Sequence, residues 1–416
     1  MTAAAPSDRL QTAPALRKSR VCGTLDIVLL VALGLAVLVH MAQLSRLDGD
    51  AAAVFLRALA FATLMAAVPV SILWFLDRRE RENPWMLAAA FLWGGLISTA
   101  ASLPINTAFF RAVDRWLALH PAVAELLGPD AVTLIAAPLS GPIVEETMKA
   151  AGVVLILWML RREFDGMRDG FVYGAMVGVG FNWFEAPLYV MQGYAQTGIP
   201  PYSLQLGLRH GLLGLGGHAL FSGIFGLFLG LAAQTSRIWL KILAPLVGWL
   251  LAVLAHLINN ALPLLRALAE GAADPSVEQS AERDVIQNVG LLEAMLYGTI
   301  PQLTIFLPFT LIVLIALWRS GVWERRVIRE EMASEVGRSI TPGEYQAIAA
   351  DRVLRTRRID EFRPRHSAAL VNAQHELAFR KRRVRDEGGD PETDPLVASW
   401  RQDIARLRAW RKFASK

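Results

Sequence analysis

Cysteine is all but missing from this 416-residue chain: Cys22 is the only one, which excludes a disulfide scaffold. Charge is also scarce. Charged residues make up 19% of the sequence, against roughly 25% in an ordinary soluble protein. Apolar residues reach 54% and mean hydropathy is +0.38, too oily for the two or three soluble domains that this length would otherwise suggest. No HExxH appears, no internal repeat stands out, and no small-residue cleavage site closes the first apolar run, so that run is not a secretory signal. The net charge of +5 and pI near 9.5 raise nucleic acid as a partner. However, no basic face interleaved with aromatics supports it, and nucleic-acid binding is set aside.

What is present is apolar sequence in lengths that suit a bilayer. A hydrocarbon core about 30 Å thick takes roughly 20 mostly apolar residues in a helix. Eight such runs are found, at about 24–44, 53–76, 85–109, 132–160, 170–192, 210–233, 239–265 and 295–318. The expected fold is all-α: a polytopic bundle of about eight transmembrane helices with a charged, mainly helical C-terminal tail. The expected organisation is an N-terminal segment 1–23, a membrane domain 24–318 with its active site in spans four to seven, and a tail 319–416. The tail carries 22 Lys/Arg against 15 Asp/Glu, a net of +7, whereas residues 1–318 sum to −2. It reads as a solvated extension with little hydrophobic periodicity that touches anionic headgroups.

Basic residues alternate along the loops. Arg9, Arg17, Lys18 and Arg20 precede span one, and Arg78, Arg79 and Arg81 follow span two. Arg161, Arg162 and Arg168 follow span four, Arg237 and Lys241 separate six from seven, and Arg319, Arg325, Arg326 and Arg329 follow eight. The 266–293 loop is acidic instead (Glu270, Asp274, Glu278, Glu282, Asp284). By the positive-inside rule both termini are cytoplasmic in a multi-pass protein of a cell membrane, expected to be prokaryotic.

Ionisable groups inside spans cost about 2.5–3.5 kcal/mol each on insertion scales, so each asks for a reason. His40 and Arg57 lie near span ends, where snorkelling is the ordinary explanation, and Arg209 and His210 read as interfacial. Spans four to seven differ. They hold Glu145, Glu146 and Lys149 in GPIVEETMKA, Asn182 and Glu185 in GVGFNWFEAPLYV, His218 and Ser222 in GGHALFSGIFG, and His256, Asn259 and Asn260 in AHLINNAL. At 1.5 Å per residue these groups fall at one depth, between the midplane and about 10 Å below the outer face. One shared cavity follows. Glycines crowd the same spans, letting backbones approach closely.

Two adjacent carboxylates, two imidazoles, an amide and an ammonium in one damp pocket suit hydrolysis. A glutamate can take a proton from water with help from an imidazole, and an imidazole and an Asn amide on one helix face can donate to a developing oxyanion. The sequence requires no cofactor. Two His and a carboxylate also make an open zinc site, with Glu145, Glu185, His218 and His256 as the candidate ligands. Spacing leaves metal-free and metal-activated water both open.

At these residues the chain resembles a known family. EETMK is similar to the EExxK motif of PrsW-type intramembrane proteases, which are themselves similar to the CAAX prenyl protease and bacteriocin-processing group. GVGFNWFEAPLYV resembles the second motif, GxGFAxxENxxY, with Asn182 and Ala186 as departures; HALFS resembles the third, and HLINN the fourth. The resemblance covers about 130–265. It implies a glutamic-type membrane endopeptidase, also described as a metalloprotease, acting on a membrane-anchored protein. The best-known role in the family is the first cut of an anti-sigma factor. It further implies Glu145 as the base for water, Glu146 and Lys149 tuning it, and His218 assisting. His256 and Asn260 would then form the oxyanion site and Glu185 a helper carboxylate, with Asn182 and Ser222 in support. The two glutamates can exchange roles. The alternatives are a CAAX-type protease acting on lipidated tails, a proton-coupled transporter using the set as a relay, or an inactive scaffold. A relay would need charge at several depths, and the inner halves of spans five to seven carry almost none. Oligomeric state is left open.

Overall fold

The computed structural model describes residues 20–78, 82–160, 164, 166–235, 237–270, 285–350 and 364–409. The acidic loop residues Asp274, Glu278, Glu282 and Asp284, and the basic residues Arg9, Arg17, Lys18, Arg79, Arg81, Arg161 and Arg162, lie outside them. The all-α expectation holds, with no strand among the described residues. In chain order the helices are α1 Arg20–Leu44, α2 Gly49–Leu76, α3 Pro84–Ala118 with a π-helical turn at Trp93–Ser98, α4 Pro121–Leu127 and α5 Ala131–Met159. Then follow α6 Met167–Thr197, α7 Tyr202–His210, α8 His218–Gln234 and α9 Ile238–Glu270. The last five are α10 Leu291–Leu303, α11 Leu307–Ala333, α12 Pro342–Ala349, α13 Pro364–Asp386 and α14 Pro395–Ala409.

Each apolar run contains helix, but the count of eight spans is not reproduced. Four helices are long and apolar enough by themselves: α2, α3, Ile238–Leu265 of α9, and α11. The pair α4–α5, bent by 92°, makes a fifth if counted as one span. In run one the apolar described stretch, Val31–Leu44, is short. Helix α6 is long, but every residue from Arg168 to Asn182 is buried. It faces protein rather than lipid, so it needs no apolar surface. Run six is broken: Gly211, Gly214 and Gly217 take positive φ (57°, 65° and 53°), so α8 starts only at His218. Run eight is divided at Thr304, with α10 before it and the crossing helix after it.

The packing of α6 on α8 explains the glycines. A Cβ on Gly226 would stand 1.9 Å from the Gly170 carbonyl oxygen, one on Gly174 2.3 Å from that of Ser222, and one on Gly178 2.1 Å from that of His218. The two helices touch backbone to backbone, and only glycine permits that. The antiparallel ladder pairs 170 with 226, 174 with 222 and 178 with 218. Glu185 lies two turns past Gly178, and since both side chains lean towards their own helix N-terminus it still meets the His218 ring at 2.8 Å.

The contacts divide the chain into two units, one of 21–75 with 84–313 and one containing 76–83 and 314 onward. Within the second unit, the expectation of a solvated extension is corrected. Val327, Ile328, Met332, Ile340, Ile348, Leu370, Leu377, Val397, Ile404 and Leu407 form a buried hydrophobic core. Helix α13 gives Leu370, Val371, Ala373, Leu377, Ala378 and Phe379 to it, but the buried polar residues Gln374, His375 and Lys381 interrupt the apolar pattern. That is why periodicity hid it. Much of the basic excess is engaged internally: Lys381 and Arg401 hold Glu335 at 2.6 and 2.7 Å, Arg385 holds Glu331 at 2.8 Å, and Arg408 pairs with Glu344.

Candidate active site

Helix α5 presents three polar side chains on neighbouring faces. Pro138 and Pro142 sit within it, and Gly141 lies one turn before Glu145. A Cβ at Gly141 would meet the Asn260 Nδ2 at 3.1 Å, so this glycine lets α9 come close. Glu145, Glu146 and Lys149 are all buried, Lys149 completely (0% exposed).

Glu146 is the hub of the buried network. Its Oε1 accepts from Lys149 Nζ at 2.6 Å and from His256 Nδ1 at 3.0 Å, and its Oε2 accepts from Ser222 at 3.2 Å. With these donors its charge is matched and its geometry locked. Lys149 also donates to His218 Nδ1 at 2.9 Å, and its ammonium lies 4.1 Å from the Phe181 ring centroid.

The hydrogen bonds assign the imidazole tautomers. An ammonium has only donors to offer, so His218 Nδ1 is an acceptor; the proton is on Nε2, which donates to Glu185 Oε2 at 2.8 Å. In His256 the Nδ1–H donates to Glu146, which leaves a lone pair on Nε2. That nitrogen accepts from Asn260 Nδ2 at 3.2 Å and stands 3.9 Å from Glu145 Oε2. Both histidines thus give one N–H to a carboxylate and keep one lone pair.

Glu145 differs from its neighbour. Its Oε1 accepts from Asn106 Nδ2 at 3.0 Å, while its Oε2 is buried with no hydrogen-bond partner. Such an orphaned carboxylate oxygen is costly, and it stands 3.9 Å from His256 Nε2, whose lone pair is held by the Asn260 amide. Glu145, His218 and His256 each offer a ligand atom within 4.8 Å of the others. Metal-ligating histidines usually donate their second nitrogen to a carboxylate, and both do so here. The donor set therefore fits a zinc ion, at the expense of the Lys149–His218 hydrogen bond. Glu185, proposed as a fourth ligand, falls outside that cluster and instead accepts from His218 and from Arg209 at 2.8 Å.

The remaining expected residues are spread around this centre. Asn260 Nδ2 donates to the Ala137 carbonyl at 3.2 Å as well as meeting His256. Asn182 donates to the Arg209 carbonyl at 3.3 Å and so holds the end of α7 rather than a carboxylate or imidazole. Arg209 is not merely interfacial, since it lies over the Tyr189 ring and pairs with Glu185. His40 does not snorkel either. It is buried, with Nε2 3.1 Å from the Leu96 carbonyl and from Thr99 Oγ1. Asn106, in span three, and Ser140, in span four, are not among the residues singled out from the sequence, which were chosen mainly as ionisable groups. An amide inside the last turn of an apolar run was the available signal.

Carboxylate-backed imidazoles converge on an unpartnered carboxylate within an all-α bundle of membrane-crossing helices, an arrangement suited to an integral membrane hydrolase. Residues 82–277, just under half the chain, match the family model described as PrsW family intramembrane metalloprotease. This match bears out the resemblance read from the four motifs, all of which lie inside it. No curated protein and no solved structure matches the chain.

Proposed function

We propose that the protein is an intramembrane endopeptidase that hydrolyses a peptide bond of a membrane-anchored protein with water activated at Glu145. The observation that carries this reading is Glu145 Oε2, buried, unpartnered and 3.9 Å from the lone pair of His256 Nε2. Two acceptors at that separation suit one water, which has two protons to give. Glu145 takes a proton as the water oxygen attacks the carbonyl carbon. His256, oriented by Glu146 as the imidazole of a triad is oriented by its carboxylate, relays a proton to the leaving amine as the C–N bond breaks. A role for neutral His256 as an oxyanion donor does not suit its tautomer. That task falls to the Asn260 amide, whose N–H is released from His256 Nε2 once the water takes that lone pair. Lys149 keeps Glu146 ionised, and Glu185 fixes His218.

Glu145, His218 and His256 would hold a zinc ion, which when bound supplies Lewis-acid polarisation of an oxygen. An anti-sigma factor is a substrate consistent with the family, and cytoplasmic termini in a prokaryotic membrane are consistent with the loop charges.

Reconstitution in liposomes with a panel of quenched single-span peptides tests the reading. Cleavage should be abolished in Glu145→Gln and reduced at least a hundredfold in His256→Ala. Equal cleavage by wild type and Glu145→Gln would overturn it. Dialysis against a chelator, followed by zinc add-back, decides between the two ways of activating water.

A further inference from the structure

The geometry points to Asn106 as a positioning residue for the catalytic carboxylate, held in turn by Ser140. This inference rests on the reading of Glu145 given above. Asn106 is on α3, outside the four motifs, yet its Nδ2 donates to Glu145 Oε1 at 3.0 Å. Its Oδ1 accepts from Ser140 Oγ at 2.6 Å. An ionised carboxylate only accepts, so the amide nitrogen must face Glu145, and the amide oxygen is left to accept from the Ser140 hydroxyl.

The consequence is a division of labour between the two oxygens of Glu145. Oε1 is tied down, so the carboxylate plane cannot rotate freely about its terminal bond, a torsion that is otherwise broad. Oε2 is left bare and directed towards His256. Without Asn106, either oxygen could turn away and the base would spend part of its time misaligned.

Two features of the fold keep Asn106 in place. Upstream on α3, the Trp93 indole donates to the Met148 carbonyl of α5 at 2.9 Å, and a Cβ on Gly152 would stand 2.3 Å from that ring. Helices α3 and α5 are therefore locked in phase. The π-helical turn at Trp93–Ser98 advances the faces of the residues after it, as an inserted residue must. Asn106 reaches the glutamate from that face.

The test is a set of variants in liposomes with a quenched single-span peptide, read as kcat and KM separately. Asn106→Leu, close in shape but without a donor, should lower kcat about 10- to 100-fold and leave KM within threefold. Asn106→Asp should be at least as poor. Ser140→Ala should lose less and Ser140→Thr should retain activity. The double variant Asn106→Leu/Ser140→Ala should be no worse than Asn106→Leu alone, because Ser140 acts only through Asn106. Additive losses, or a kcat unchanged in Asn106→Leu, would overturn the proposal. A second readout does not depend on cleavage. The infrared carboxyl band that disappears in Glu145→Gln should shift in Asn106→Leu and stay put in Asn259→Ala. An unshifted band sinks the inference whatever the activity. If Asn106→Leu shifts the band while the wild-type protein cleaves nothing, the contact is upheld and the protease reading is refuted instead.

Discussion

Gly178→Ala should be among the most damaging single-methyl changes in the molecule. The added Cβ would lie 2.1 Å from the His218 carbonyl oxygen, 2.5 Å from its carbon and 2.7 Å from Ala219 Cα. All three are backbone atoms on a packed helix, so no side chain can swing aside. Restoring an ordinary contact needs α6 and α8 to part by about 1 Å, since a carbon does not approach an oxygen much within 3.2 Å. His218 moves with α8. Its bonds to Glu185 (2.8 Å) and Lys149 (2.9 Å) would stretch towards 3.8 Å and cease to be hydrogen bonds. A misplacement of that size costs about 10²-fold in rate, and overpacking costs about 1–3 kcal/mol of stability. The assay is peptide cleavage in liposomes beside thermal unfolding in detergent. Gly34→Ala serves as control, because nothing lies within 4 Å of its Cβ position. Cleavage within threefold of wild type, with an unchanged melting curve, would refute the backbone contact and with it the register that brings Glu185 to His218.

The two adjacent glutamates should respond oppositely to the same change. Glu145→Gln should abolish cleavage and barely alter melting, because one oxygen has no partner to lose. Glu146→Gln leaves Lys149 buried without a counter-charge and should destabilise the fold by about 3–5 kcal/mol, seen as a large drop in melting temperature. If a zinc ion is held as proposed, equilibrium dialysis should find about one per chain in wild type and much less in His256→Ala and Glu145→Gln. In the C-terminal unit, burial alone would raise the Glu335 carboxyl, but hydrogen bonds from Arg401, Lys381 and Ser339 outweigh it and hold the group at about 2. A folded value below the unfolded one means stability is fully present above about pH 4.5 and is lost as pH falls through about 2, roughly 2–3 kcal/mol in all. Hydrogen exchange of residues 364–409 in the full chain should show that acid window in wild type and lack it in Glu335→Gln.

The polar exceptions in four apolar runs were legible because a charge in a membrane helix has few reasons to be there. That argument sees only costly residues, so it reached Glu145, Glu146, Lys149, Glu185, His218 and His256 but passed over Asn106 and Ser140. The C-terminal core was missed for a related reason: its face is completed by side chains such as Lys381, whose stems pack while their heads pair with Glu335.

Sequence alone, through hydropathy, loop charge and four spaced motifs, determined that the chain is an all-α membrane protein similar to PrsW-type proteases, and which helices hold the polar groups. Those properties are local and additive along the chain. Tertiary structure decided which oxygen is free, which imidazole nitrogen holds a lone pair, and where the runs break. Glu145 and Glu146 are neighbours of identical chemistry. Only the partners that α3, α8 and α9 bring to them leave one locked by His256 and Ser222 and the other with a bare oxygen. Such contacts join residues up to 110 positions apart, and no local pattern encodes them.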